Sequence, residues 1–143
     1  MKKPVEIIQG EKSLRLNLYI IIGFYLLLII AIEPAIDFLL LSLFEPKNHV
    51  ITEQLNSVKL ISSTLIYTVL GILPATYTAW YGYRIVASAK LPPVLLSGKT
   101  RFPFTVVVIK GRVAKMFGLL IIIVSLVLIF QLILHFINTL LLQ

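Results

Sequence analysis

Cysteine is absent from the 143 residues. Disulfides, thiol catalysis and thiolate-held metals or clusters are thereby excluded. Charge is also scarce: Asp, Glu, Lys and Arg together make up 13% of the chain, about half the share of a soluble domain. The acidic side is thinner still, with six Asp and Glu against thirteen Lys and Arg. Only two histidines occur, His49 and His135. A metal would have to sit on one of them with two carboxylates, and none is expected. Gly-rich phosphate loops, HExxH, GxSxG and CxxC do not occur. Ser62 and Ser63 stand on a spanning helix, where serines usually bond their own backbone. The chain reads as a protein that is not an enzyme and takes no cofactor.

What is present is apolar. Hydrophobic residues make up 59% of the chain. Three stretches, 18–44, 60–83 and 116–137, are each long enough to cross a bilayer, which takes about 20 apolar residues. The run from Leu18 reaches far past the length of a signal peptide's apolar region, so it is expected to be a retained first span. The sequence therefore predicts an all-α membrane protein of three transmembrane helices. It forms a single membrane domain over 1–143, with spans at about 17–44, 58–84 and 113–138. The connection over 85–112 is too short for a core of its own.

Prolines punctuate these helices. Glu33-Pro34 predicts a kink in the first, or the start of a second short helix over 35–44 lying along the interface. Glu45-Pro46 ends it. Thr52 followed by Glu53 is a candidate cap for a second helix running to about Ala89, with a further kink at Pro74. Gly71, Ala75 and Ala79 recur every four residues, and Ala114 and Gly118 repeat that spacing in the third helix. Small residues at this spacing let helices approach closely. In the connection, Leu91-Pro92-Pro93 stops the second helix and Gly98 marks a turn. The β-branched run containing Phe102, Phe104, Val106 and Val108 is expected to be extended. It is a candidate docking edge for another chain.

Lys and Arg set orientation. Four lie before the first span and seven in the connection: Arg84, Lys90, Lys99, Arg101, Lys110, Arg112 and Lys115. The N-terminus and the connection are thus expected in the cytoplasm and the C-terminus outside. The same seven are candidate contacts for anionic lipid. Nucleic acid is not an expected partner, because no stacking or basic-groove module accompanies the net charge of +7.

That orientation puts Glu33, Asp37, Lys59, Gln131 and His135 in the outer half of the membrane, as one expected polar cluster. Buried charge in a span costs roughly 2.5–3.5 kcal/mol at its centre, so a pairing of Glu33 or Asp37 with Lys59 or His135 is expected. Three roles stay open: pinning the helices together, contacting a partner subunit, or relaying protons or ions.

From Tyr83 to Gly118 the chain resembles a recurrent type of small bacterial inner-membrane protein. The shared features are Trp80-Tyr81-Gly82-Tyr83-Arg84 at the end of a span, then Pro92-Pro93, a glycine turn at Gly98, and Gly111-Arg112-Val113-Ala114 opening the last span. Val94-Leu95-Leu96 departs from the tighter turn usual there. The resemblance implies a bacterial inner membrane and nothing catalytic. Taken together, the sequence suggests a small accessory or assembly subunit of a larger membrane complex, with other membrane subunits or further copies of itself as partners in the bilayer. The alternative is a self-associating bundle that conducts protons or ions through the polar cluster.

Overall fold

A computed structural model describes residues 6–43, 49–93 and 102–141. Three helices dominate: α1 (Lys12–Leu43), α2 (His49–Ser88) and α3 (Arg112–Leu141). All three are long and apolar enough to cross a membrane, which makes this an integral membrane protein. The short strands β1 (Ile7–Ile8), β2 (Lys90–Leu91), β3 (Val106–Val107) and β4 (Ile109–Lys110) gather at one end as a cap.

The helices extend beyond the apolar stretches because hydropathy marks the part in lipid, not the helix. α1 starts at Lys12, where the Arg15 N–H donates to the Glu11 carbonyl. It runs unbroken through Pro34 to Leu43, so residues 35–43 continue one helix instead of forming a second. α2 begins at His49, ahead of the expected cap at Thr52, which lies inside it. Nothing between 49 and 73 breaks a helix, and Pro74 is accommodated within it. Glu45, Pro46 and the turn at Gly98 lie outside the described residues.

α2 and α3 form the main contact of the bundle. The lining follows the 4–3 spacing of a left-handed helix pair. On α2 it includes Gly71, Thr78, Gly82 and Ile85, and on α3 Gly118, Ile122, Ser125 and Leu132. At the cap end the backbones nearly touch: a methyl on Gly82 would lie 2.8 Å from the Gly118 carbonyl oxygen, and the reverse is equally tight. Ile85 and Ala114 are fully buried beside this crossing. Further along, the Thr78 and Ser125 hydroxyls bond across the helices at 2.8 Å. Leu132 then fills the notch left by Gly71.

α1 packs on α2 along a narrower seam centred on Ile32 and Ile36, and among the described residues it does not reach α3. One bond of that seam has a clear cause. The Tyr25 hydroxyl donates to the Leu70 carbonyl at 2.6 Å. In a regular helix the Leu70 carbonyl would take the N–H of residue 74, but Pro74 has none. In lipid no water would fill the gap, so the tyrosine does.

The cap joins the chain's beginning to its long connection. β1 pairs antiparallel with β3, placing Ile7 opposite Val107, and β2 pairs with β4, placing Leu91 opposite Ile109. The Val108 N–H donates to Glu6 and the Gly111 N–H to Ala89. Ala89 and Gly111 both adopt positive φ, 49° and 78°, where α2 ends and α3 begins. Glycine takes that conformation freely, and Ala89 takes it at some strain.

Candidate functional site

The expected polar cluster divides into two places. Asp37 and Lys59 form an ion pair at 2.5 Å between α1 and α2, each about half exposed. Glu33, one turn before Asp37, is exposed but near enough for its charge to be felt at Lys59. These three come together as the i, i+4 spacing on α1 suggests. They lie at the end of the bundle away from the cap.

Gln131 and His135 are elsewhere. Both are exposed, on a flank of α3 turned about 100° from the face that meets α2. Asn138 shares that flank and is exposed too. The antiparallel register of α2 and α3 fixes their level. With Ser125 at Thr78 and Leu132 at Gly71, His135 stands near Thr68 and Gln131 near Ile72. Measured along α2 from Lys59, those levels are about 13 Å and about 20 Å deeper. The single layer expected across all three helices is therefore not formed. The reason is stagger: α2 overshoots α3 by several residues at this end, so equal distance from a span boundary is not equal depth.

Of the expected small residues, Gly71 and Gly118 meet the facing helix directly. Gly71 and Ala75 line the α3 contact, as do Ala114 and Gly118. Ala79 is partly buried, and Thr78, which is more exposed, reaches α3 through its hydroxyl, as Gly82 does through its backbone. Residues every four along a helix drift by about 40° per step, whereas a 4–3 alternation stays in register with a partner. The sequence reading missed Gly82, although its spacing from Ala75 is one heptad. It also missed Tyr25, whose signal was a tyrosine in a span opposite a proline-broken helix.

One side of the candidate docking segment is occupied from within the chain. The Phe102 carbonyl accepts from the Glu11 N–H, Val106 pairs with Ile8, and the Val108 N–H donates to Glu6. The Arg15 guanidinium donates to the Pro103 carbonyl at 3.2 Å and stands 5.3 Å from the centre of the Phe104 ring. Phe102 and Val106 line a half-open apolar cavity of about 240 Å³ with Tyr81, Leu91 and Pro92.

Of the candidate lipid-binding cations, Lys110 pairs with Glu6. The Lys110 ammonium holds the Glu6 carboxyl below its ordinary value, and Lys90 adds to the effect. Arg84 lies 5.9 Å from the centre of the Trp80 ring. Arg112 and Lys115 are exposed on the first turn of α3. Lys99 and Arg101 lie outside the described residues.

Comparison with known proteins leaves this chain on its own: no protein family, curated protein or solved structure matches it.

Proposed function

We propose that this is a non-enzymatic accessory or assembly subunit of a larger membrane complex. The observation that carries the reading is Glu33. Lys59 neutralises Asp37, so the group Glu33–Asp37–Lys59 retains one net negative charge, exposed on α1. Among the described residues that helix is held by the seam with α2 and, at its start, by Arg15 against Pro103 and Phe104, which leaves much of its surface available. A basic residue of a partner helix at the same depth would neutralise Glu33 and cover α1 at once.

The expected relay has less support. Its carboxylates stand on α1 and its histidine on the outer flank of α3, with no contact between those helices among the described residues. The orientation proposed is the one read from Lys and Arg, with the cap in the cytoplasm of a bacterial cell. The β1–β3 pairing keeps residues before the first span and residues between the last two on one side, in either orientation, so Lys and Arg alone support the choice of side.

Isolation in mild detergent followed by mass spectrometry tests the reading. Co-isolated membrane subunits are expected in fixed ratio with the wild-type chain, and their recovery is expected to fall about tenfold for Glu33→Gln. Recovery of the chain without companions, or the same companions for both variants, contradicts it.

A further inference from the structure

Gln131 lies well inside the apolar stretch 116–137, about 9 Å from its end at 1.5 Å per residue. Its carboxamide is exposed on a helix whose other face is already occupied by α2. In lipid such a group has no water to bond and is stabilised by a neighbouring helix. Gln131 is not isolated. Val124, Leu128, Gln131, His135 and Asn138 follow the same 4–3 spacing that builds the α2–α3 contact, and all five are exposed. These five form a row at helix-pairing spacing on α3, with its polar members at the end away from the cap.

We infer that this seam pairs with the same seam of a second copy of the chain. Chemical complementarity singles out this partner. Two copies inserted in the same orientation bring their α3 helices together in parallel. About a two-fold axis along the membrane normal, each residue then meets its own counterpart. Such pairing suits only groups that complement themselves. Carboxamides and the imidazole each carry a donor and an acceptor, so Gln131, His135 and Asn138 can each bond to their own copies. No Asp, Glu, Lys or Arg occurs after Lys115, so no like charges are brought together. The exposed face of α1 fails the same criterion, because Glu33 would meet Glu33. The α3 seam therefore takes a second copy, while α1 stays free for a different partner.

The cysteine-free sequence gives a direct test. Single cysteines are placed at 123 through 129 in turn and oxidised in native membranes. Crosslinked species at twice the 16.1 kDa chain mass are expected to peak for Val124→Cys and Leu128→Cys. They are expected to be at least fivefold weaker for Leu126→Cys and Val127→Cys. Gln131→Leu, which removes the amide but keeps an apolar surface, should lower the crosslinking of Leu128→Cys by about an order of magnitude. Maxima at positions other than 124 and 128, crosslinking without periodicity, or no crosslinking at all overturns the inference. So does crosslinking unaffected by Gln131→Leu. Because Glu33→Gln is expected to leave these crosslinks unchanged, this test is independent of the companion subunits proposed for α1.

Discussion

A single missing N–H explains one of the most specific contacts in this protein. Pro74 deprives the Leu70 carbonyl of its helical partner, and the Tyr25 hydroxyl replaces it at 2.6 Å. Tyr25→Phe is therefore expected to destabilise the α1–α2 contact by about 0.5–2 kcal/mol, within the range of interhelical bonds in membranes. In a Pro74→Ala background the carbonyl regains its N–H and the same substitution should cost much less. Unfolding in detergent across the four variants measures the coupling, and equal costs in both backgrounds would sink the explanation. The pair of Thr78 and Ser125 is of the same kind, since a hydroxyl deep in a span bonds its own turn and its neighbour. Both serine and threonine were visible as letters. Nothing in one sequence says which of several hydroxyls will face another helix.

At the scale of elements, the helices were legible and their contacts only partly so. Apolar length identifies a span whatever surrounds it, so all three helices could be read directly. Small residues marked Gly71, Ala75, Ala114 and Gly118 as packing sites for the same reason: close approach needs small side chains. Which further residues of α2 reach α3, Thr78 and Gly82 among them, depends on crossing angle and register, which two helices set jointly. The expected stack of polar residues failed on the same ground, because stagger between α2 and α3 is a property of the pair. Gly82→Val tests the crossing. Its Cβ alone would meet the Gly118 carbonyl oxygen at 2.8 Å, so the helices must separate, at a cost of about 1–3 kcal/mol. Unchanged thermal stability would contradict the close approach. The extended run at 102–109 was expected, yet its partner was expected to be another chain. The chain's own Ile7–Ile8 pairs with one side of it, a pairing across about a hundred residues that periodicity does not reveal.

The cap carries a pH dependence. The Glu6 carboxyl titrates below its ordinary value of 4.5 because Lys110 favours its charged form. A lowered acid pKa in the folded state means that the ion pair's support is present above about that pH. It is lost as pH falls through the folded value. The exposed pair is also screened by salt. Hydrogen exchange at the Val108 amide, which donates to the backbone carbonyl of Glu6, should quicken relative to Leu132 on acidification below pH 4.5. Glu6→Gln should remove that acid response. A response that persists in the variant would place the titration elsewhere.

For the whole molecule, α2 is the hub. It holds α3 along a long seam and α1 along a short one, and the two outer helices do not meet among the described residues. This arrangement leaves α1 with an exposed carboxylate and α3 with an exposed polar seam, on separate surfaces. A chain of this shape suits the role of a linker between copies of itself and other membrane subunits. The most direct measurement uses paired cysteines in the otherwise cysteine-free chain, oxidised in membranes and read as compaction within one chain. Cysteines at 78 and 125, whose present hydroxyls are in contact, are expected to join readily, while cysteines at 37 and 135 are not. Efficient joining of 37 to 135, with none between 78 and 125, would contradict the account.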